Sequence, residues 1–370
     1  MSSTSGDILL VLVVATALAF DFTNGFHDTA NAVATTISTR AMAPKVAVVF
    51  AALLNFAGAF ISLKVATTIA SGIVETGQIT TTVVFSGLIG AIVWNLITWY
   101  RGLPSSSSHA LIGGLIGAVL VADGTSGVNW AGLLGKVILP SLISPTLAFL
   151  VAGLSVVIAY RILANRPPSF VSRGFRLGQI LSSGLLSLSH GTNDGQKTMG
   201  IITLALVAHG SISAAHVQVP VWVIASAATA MGLGTYAGGW RIIKTTGMRI
   251  INMNSAQGFG AQGAGAAVIL AVSHFGFPIS TTHVINGGVM GSGAARRLSA
   301  VRWGVAGNII AAWVLTLPAA GLAGAAVYGI TQIFGHSALG PLVVLGACVA
   351  LLVVVLIRLA RQRVPEAVPQ

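Results

Sequence analysis

An all-α polytopic membrane protein, with an inverted-topology repeat and two re-entrant or broken helical hairpins, is the fold class that three features of this 370-residue sequence predict. Composition is the first. The chain is 55% hydrophobic and 7% charged, with a mean hydropathy of +0.90, whereas soluble domains carry about 25% charged residues. The second is a hydroxyl-rich tract that occurs twice, as Pro104-Ser105-Ser106-Ser107-Ser108-His109 and as Pro278-Ile279-Ser280-Thr281-Thr282-His283. Each copy lies between apolar stretches and is followed by a small-residue run, Ile112-Gly113-Gly114 or Asn286-Gly287-Gly288. Hydroxyls and freed backbone groups at membrane depth need polar partners, so matched breaks imply an internally duplicated transporter. The third feature is where the basic residues fall.

Apolar segments run over 6–36, 46–70, 80–100, 105–122, 131–160, 176–208, 217–240, 257–275, 279–292, 301–331 and 340–358. A spanning helix needs about 20 residues, so the short segments after each tract read as half-helices or hairpin arms. The connector 161–176, with Pro167, Pro168 and four arginines, divides the chain. Residues 1–165 form a first repeat with its hairpin at 80–122, and residues 166–335 a second with its hairpin at 257–292. Residues 336–370 supply an extra C-terminal helix and a tail. Three full spans plus one hairpin per repeat is an odd number of crossings, which inverts the second repeat relative to the first.

Arg40 and Lys45, Arg161 to Arg176, Arg241 to Arg249, Arg296 to Arg302, and Arg358, Arg361 and Arg363 all fall on one side if the N-terminus is outside. The connectors around Glu75, Asp123, His209 and His336 fall on the other. The positive-inside rule makes the basic side, and the C-terminus, cytoplasmic. The first hairpin then enters from outside and the second from the cytoplasm, with Arg101 at the first tip close to cytoplasmic solvent or an aqueous vestibule. The net charge of +12 is accounted for by these connectors and implies no nucleic-acid partner. Met1 to Asp7 has no basic region, so the first segment reads as part of the fold and not as a cleaved signal. Cys348 is the single cysteine, which excludes an intrachain disulfide and a thiolate metal cluster.

Of seven acidic residues, Asp7, Glu75, Asp123 and Glu366 lie in loops or tails. Asp21, Asp28 and Asp194 lie within apolar segments, where a carboxylate costs about 2.5 to 3.5 kcal/mol at a helix centre and is a functional candidate by default. Asp28 belongs to Asn24-Gly25-Phe26-His27-Asp28-Thr29-Ala30-Asn31, and Asp194 to His190-Gly191-Thr192-Asn193-Asp194-Gly195-Gln196-Lys197. Superimposing Gly25 on Gly191 pairs Asp28 with Asp194 and Asn31 with Lys197. Glycine, asparagine and aspartate together predict a helix break with exposed carbonyls, which suits a cation site. Asp21 has no partner in the second half. His27, His190, His109 and His283 flank the motifs and are candidates for proton handling.

Four motifs, NGFHDTANAVAT at 24–35, LPSSSSHALIGG at 103–114, SHGTNDGQKTMG at 189–200 and PISTTHVINGG at 278–288, resemble the inorganic phosphate transporter (PiT) family, most closely its bacterial low-affinity type. The resemblance covers about residues 8 to 335. It implies a multi-pass protein of the plasma membrane, without a cofactor, that imports inorganic phosphate by cation symport. It also implies a central phosphate site lined by both hairpins, with Ser105, Ser106, Ser107, Ser108, Ser280, Thr281 and Thr282 as phosphate-binding residues. A half-helix starting at each tract would aim a dipole of about +0.5 charge at the anion. Asp28, Asn31, Asp194, Asn193, Lys197 and His27 are the cation-coupling residues. Sodium-driven members carry Asn-Asp where this chain has His27-Asp28, and Lys197 stands in the place of Asn31, so the coupling ion is expected to be the proton. Asp28 and Asp194 are the metal ligands if it is sodium instead. The resemblance extends the expected cargo to metal-phosphate complexes with magnesium or calcium, and a homodimer is compatible with the sequence. The alternatives are a sodium-coupled phosphate or sulfate permease and, from another class, a membrane-embedded hydrolase with a metal on His190 and Asp194; the chain is not expected to be an enzyme.

Overall fold

The computed structural model describes residues 3–75, 79–214, 216–335 and 337–361. His336 and the tail that includes Arg363 lie outside the described residues. The apolar segments fold as α1 (Ser3–Ser38), α2 (Pro44–Gly58), α3 (Lys64–Ser71), α4 (Thr81–Arg101) and α5 (Ser107–Ala122). The short α6 (Trp130–Leu133) continues through a π turn into α7 (Leu139–Ile162). Likewise α8 (Pro168–His190) continues through a π turn at Gly191–Gly195 into α9 (Gln196–His209). The remainder is α10 (Val221–Ala237), α11 (Trp240–Lys244) with a π turn at Thr245–Arg249, α12 (Ser255–His274), α13 (Thr281–Ala294), α14 (Trp303–Gln332) and α15 (Leu339–Arg361).

Thr4–Ser38, Thr81–Arg101, Trp130–Ile162 and Trp303–Gln332 are long and apolar enough to cross a membrane, and Val221–Ala237 with Trp240–Arg249 adds a span bent by 59°. The chain is therefore a multi-pass membrane protein. At about 1.5 Å per residue, α5 and α13 reach only about 24 and 21 Å, short of the hydrocarbon core of about 30 Å.

Two of the expected single spans are broken. The segment 46–70 leaves the helix after Gly58 and resumes at Lys64, and 217–240 bends at Gly238, whose φ is +75°. Hydropathy does not distinguish one straight helix from two in succession. The signals were Lys64 inside an apolar run and the Gly238-Gly239 pair. In the opposite direction, the motif 24–31 was expected to break its helix, yet α1 runs through it without interruption. Gly25 serves close approach there: a Cβ would fall 2.5 Å from the carbonyl oxygen of Met231 in α10. The second motif is relaxed by the π turn at Gly191–Gly195, a single extra residue that re-aims side chains without ending the helix.

Packing between the halves is reciprocal. α1 packs on α10 and α8 on α2; α5 and α4 pack on α14, and α13 and α12 on α7. Backbones meet directly at these crossings. A Cβ on Gly113 or Gly117 of α5 would collide with the carbonyls of Leu317 or Gly321 in α14, and one on Gly287 or Gly291 of α13 with those of Pro145 or Phe149 in α7. Both are small-xxx-small pairs, the spacing that lets membrane helices approach closely.

The hairpin turns share one local solution. α4 ends at Gly102 (φ +66°) and Pro104 follows; α12 ends before Gly276 (φ +77°) and Pro278 follows. Ser106 and Ser280 then N-cap α5 and α13, accepting hydrogen bonds from the amides of His109 (3.1 Å) and His283 (3.2 Å). The far pieces of the broken spans hold the tips. Lys64 at the start of α3 donates to the His274 carbonyl at 2.9 Å, and Arg241 of α11 donates to the Tyr100 carbonyl and lies over the Tyr100 ring at 4.7 Å. Cations thus sit at the C-terminal, negative ends of α12 and α4. Arg101 is exposed.

Gly117→Val and Gly291→Val should each destabilise by at least about 1 to 3 kcal/mol, the cost of overpacking, because the colliding atoms are backbone. Gly307→Ala in α14, where a Cβ meets nothing within 4 Å, should be neutral or stabilise by up to about 1 kcal/mol. Thermal unfolding of the detergent-purified variants, followed by size-exclusion chromatography, measures the difference.

Candidate functional site

The caps put the next two hydroxyls of each tract, Ser107 and Ser108 in α5 and Thr281 and Thr282 in α13, on the first turn of their helices. The two helix N-termini face each other: the Ser108 hydroxyl donates to the Ile279 carbonyl across the hairpins at 3.1 Å. The aspartates of α1 and of the α8–α9 helix project into the same place. Ser107 and Thr282 both donate to Oδ1 of Asp28, at 3.3 and 3.2 Å, and Thr281 donates to Oδ2 of Asp194 at 2.8 Å. Hydroxyls from both halves therefore converge on two carboxylates that are 2% and 0% exposed.

Lys197 is among the largest fully buried side chains of the protein. Its ammonium pairs with Asp194, donates to the Ser108 hydroxyl and donates to the Ile279 carbonyl at 2.7 Å. In the matching place of the first half Asn31 donates to Thr282 at 2.9 Å and to Thr281 at 3.3 Å. The superposition of Asn31 on Lys197 thus holds in space: each reaches the tract of the opposite half. The ion pair to Asp194 three residues earlier also forms.

Histidines complete the cluster. His27 Nδ1 donates to Asp28 Oδ1 at 2.9 Å, and its Nε2 lies 3.2 Å from the Thr98 hydroxyl and 3.4 Å from that of Ser105. His190 Nε2 is 3.0 Å from Asp194 Oδ2 and 3.9 Å from Asp28 Oδ2, so one imidazole stands between the two carboxylates. Oxygens of Asp28 and Asp194 and a ring nitrogen of His190 lie within 4.8 Å of one another, a separation that a metal ion could bridge. The donor set, two carboxylates and an imidazole, suits a divalent transition metal better than it suits sodium, which prefers oxygens alone.

Most of the residues singled out from the sequence meet here. Ser105 contributes through His27 and Thr98, with its hydroxyl 2.8 Å from that of Thr98. Ser106 and Ser280 hold the helix starts, which engages their acceptor lone pairs and leaves each hydroxyl proton available. Asn193 points elsewhere: its amide donates to the Ser273 hydroxyl at 2.8 Å and to the Phe277 carbonyl at 3.1 Å, tying the π turn to the second hairpin. Thr98 was missed; a threonine one turn before a helix C-terminus carries no signal of its own. His109 and His283 meet edge to face with ring centres 4.8 Å apart, and His283 stacks on Trp313 at 4.1 Å.

A family comparison matches residues 24–324 to the phosphate transporter family. The probable low-affinity inorganic phosphate transporter of Mycobacterium tuberculosis is 50% identical over 357 residues, covering 96% of this chain and 85% of that protein. Its counterpart in Bacillus subtilis is 45% identical over 323 residues, covering 87% and 96%. Among solved structures, one described as the sodium-dependent phosphate transporter superposes with a TM-score of 0.80 at 28% identity, over 88% of this chain and 99% of that one. The family match spans both aspartate motifs and both hydroxyl tracts, and relatives about half identical extend along most of the chain. It therefore belongs to the phosphate transporter family and is a transporter rather than an enzyme.

Proposed function

We propose that the chain imports inorganic phosphate by proton symport, with phosphate bound between the N-termini of α5 and α13. The observation that carries this reading is the convergence of Ser107, Ser108, Thr281 and Thr282 beside Asp28, Asp194 and Lys197. Hydroxyls that donate to carboxylates can turn and donate to phosphate oxygens, and two helix N-termini add partial positive charge. Release remains easy because no arginine clamp is involved.

Charge balance supplies the coupling. Two carboxylates against one ammonium leave the cluster about one negative charge in excess, and a phosphate anion adds one or two more. Such an assembly is strongly unfavourable in a buried site unless cations enter with the anion. Lys197 takes one cation position permanently, and protons on the carboxylate and histidine groups supply the rest. Metal-phosphate complexes of magnesium or calcium fit the same logic, since they carry their own countercharge. The duplicated order of helices and the reciprocal packing favour an inverted repeat, in which the two hairpins reach the site from opposite faces and alternate access exposes it to each side. The basic connectors favour an outside N-terminus and an inside C-terminus.

A second reading, sodium coupling, is favoured by the solved relative described as sodium-dependent. The ammonium of Lys197 already occupying Asp194 argues against it.

Asp28→Asn and Asp194→Asn should each cut phosphate uptake into proteoliposomes at least about tenfold, the loss that accompanies removing a hydrogen bond to a charged group. Sulfate and arsenate run in parallel define the anion. Uptake should follow an imposed pH gradient and persist without sodium; uptake that needs sodium and ignores the pH gradient replaces the proton reading with the sodium one. Lys197→Asn, which makes the second motif match the first, should introduce stimulation by sodium.

The tract positions should separate by phenotype. Ser107→Ala and Thr282→Ala should raise KM for phosphate by roughly tenfold, while Ser106→Ala should lower thermal stability by about 1 kcal/mol as a lost cap, with a smaller effect on KM. For orientation, in a Cys348→Ala background, Thr125→Cys should react with an impermeant thiol reagent from outside the cell and Arg297→Cys only after the membrane is opened.

A further inference from the structure

We infer that Asp21 is a proton-binding site of this transporter, separate from the phosphate cluster, and that it carries a transported proton as a neutral carboxylic acid. The carboxyl is 0% exposed, and neither of its oxygens has a hydrogen-bond partner. It forms no ion pair among the described residues. Asp28 and Asp194 differ in just this respect: His27, His190, Lys197 and three tract hydroxyls attend them. An ionised carboxylate with no cation and no full set of donors is very costly in a dry interior, and taking up a proton removes that cost.

The surroundings suit a neutral acid. Asn24 and Thr198 are the side chains beside the carboxyl. The amide oxygen of Asn24 and the hydroxyl of Thr198 are themselves buried and unpartnered; both side chains can accept from the acid or turn to donate to the carboxylate, and neither brings a positive charge. The titratable groups that act on Asp21 are Asp194 and His190, both on the α8–α9 helix.

Position links the site to transport. Asp21 and Asp28 are seven residues apart on the uninterrupted α1, which puts them on one helix face about 10 Å apart along the axis. Thr198 directly follows Lys197. A change in the packing of α1 against α9 that admits water to Asp21 would let it release its proton, and the reverse change requires it to be reloaded.

The inference rests on the proton-symport reading, and two measurements keep the two apart. The first is infrared spectroscopy of the reconstituted protein at neutral pH, which should show a protonated-carboxyl band that Asp21→Asn removes. The same band in wild type and Asp21→Asn overturns the assignment, whatever ion drives transport. The second compares phosphate accumulation driven by a pH gradient with phosphate–phosphate exchange at equal pH. Asparagine mimics the neutral acid, so Asp21→Asn should lower accumulation at least tenfold more than exchange, and Asp21→Glu should recover part of the accumulation. Equal losses of both, or accumulation at the wild-type level, would overturn the role in coupling. Uptake in wild type that depends on sodium and not on the pH gradient refutes the symport reading, while the infrared result still decides whether Asp21 holds a proton.

Discussion

Two carboxylates buried side by side at membrane depth are the constraint around which the rest of the structure is arranged. Asp28 and Asp194 cannot both remain ionised there without donors, and the surrounding elements supply them. The hydroxyls of two hairpins, one lysine and two histidines all point inward to this pair. Asp28 draws on both halves, bound by Ser107 from its own and by Thr282 from the other, whereas Asp194 is held by Thr281, Lys197 and His190 of its own half. The halves are joined at the site by Thr282 on Asp28, Asn31 on Thr281 and Thr282, and Lys197 on Ser108.

The hairpins achieve this through local chemistry of modest strength. A left-handed glycine, a proline and a serine cap turn the chain and start a helix with its N-terminus exposed to the site. Small residues then allow α5 and α13 to lie directly on α14 and α7. The broken spans serve the same end, because α3 and α11 deliver Lys64 and Arg241 to the carbonyls at the hairpin tips. In a membrane, where apolar surface gives little net drive to helix association, such backbone approach and polar fastening do the work that hydrophobic burial does in water.

Against this background of matched halves, the departures from symmetry carry functional meaning. Asn31 and Lys197 occupy equivalent places but bring a neutral amide and a full positive charge. Asp21, on α1, has no acidic counterpart in the second half at all.

The membrane class, the family and the residues that meet around Asp28 and Asp194, apart from Thr98, were legible in the sequence. They depend on local properties that recur along the chain: hydropathy, the hydroxyl tracts and the aspartate motifs. Hydropathy did not reveal that the segments 46–70 and 217–240 are broken, because two short apolar helices and one long one have the same composition. Motif content misled at 24–31, where glycine serves close packing against Met231 and not a helix break. The roles within the site were decided only by tertiary structure. Asn193 is turned toward Ser273, Thr98 is recruited by His27, and Asp21 is left without a partner, since each outcome depends on residues 70 or more positions away. A sequence shows which polar groups must be buried; which of them find one another is fixed by how the helices cross.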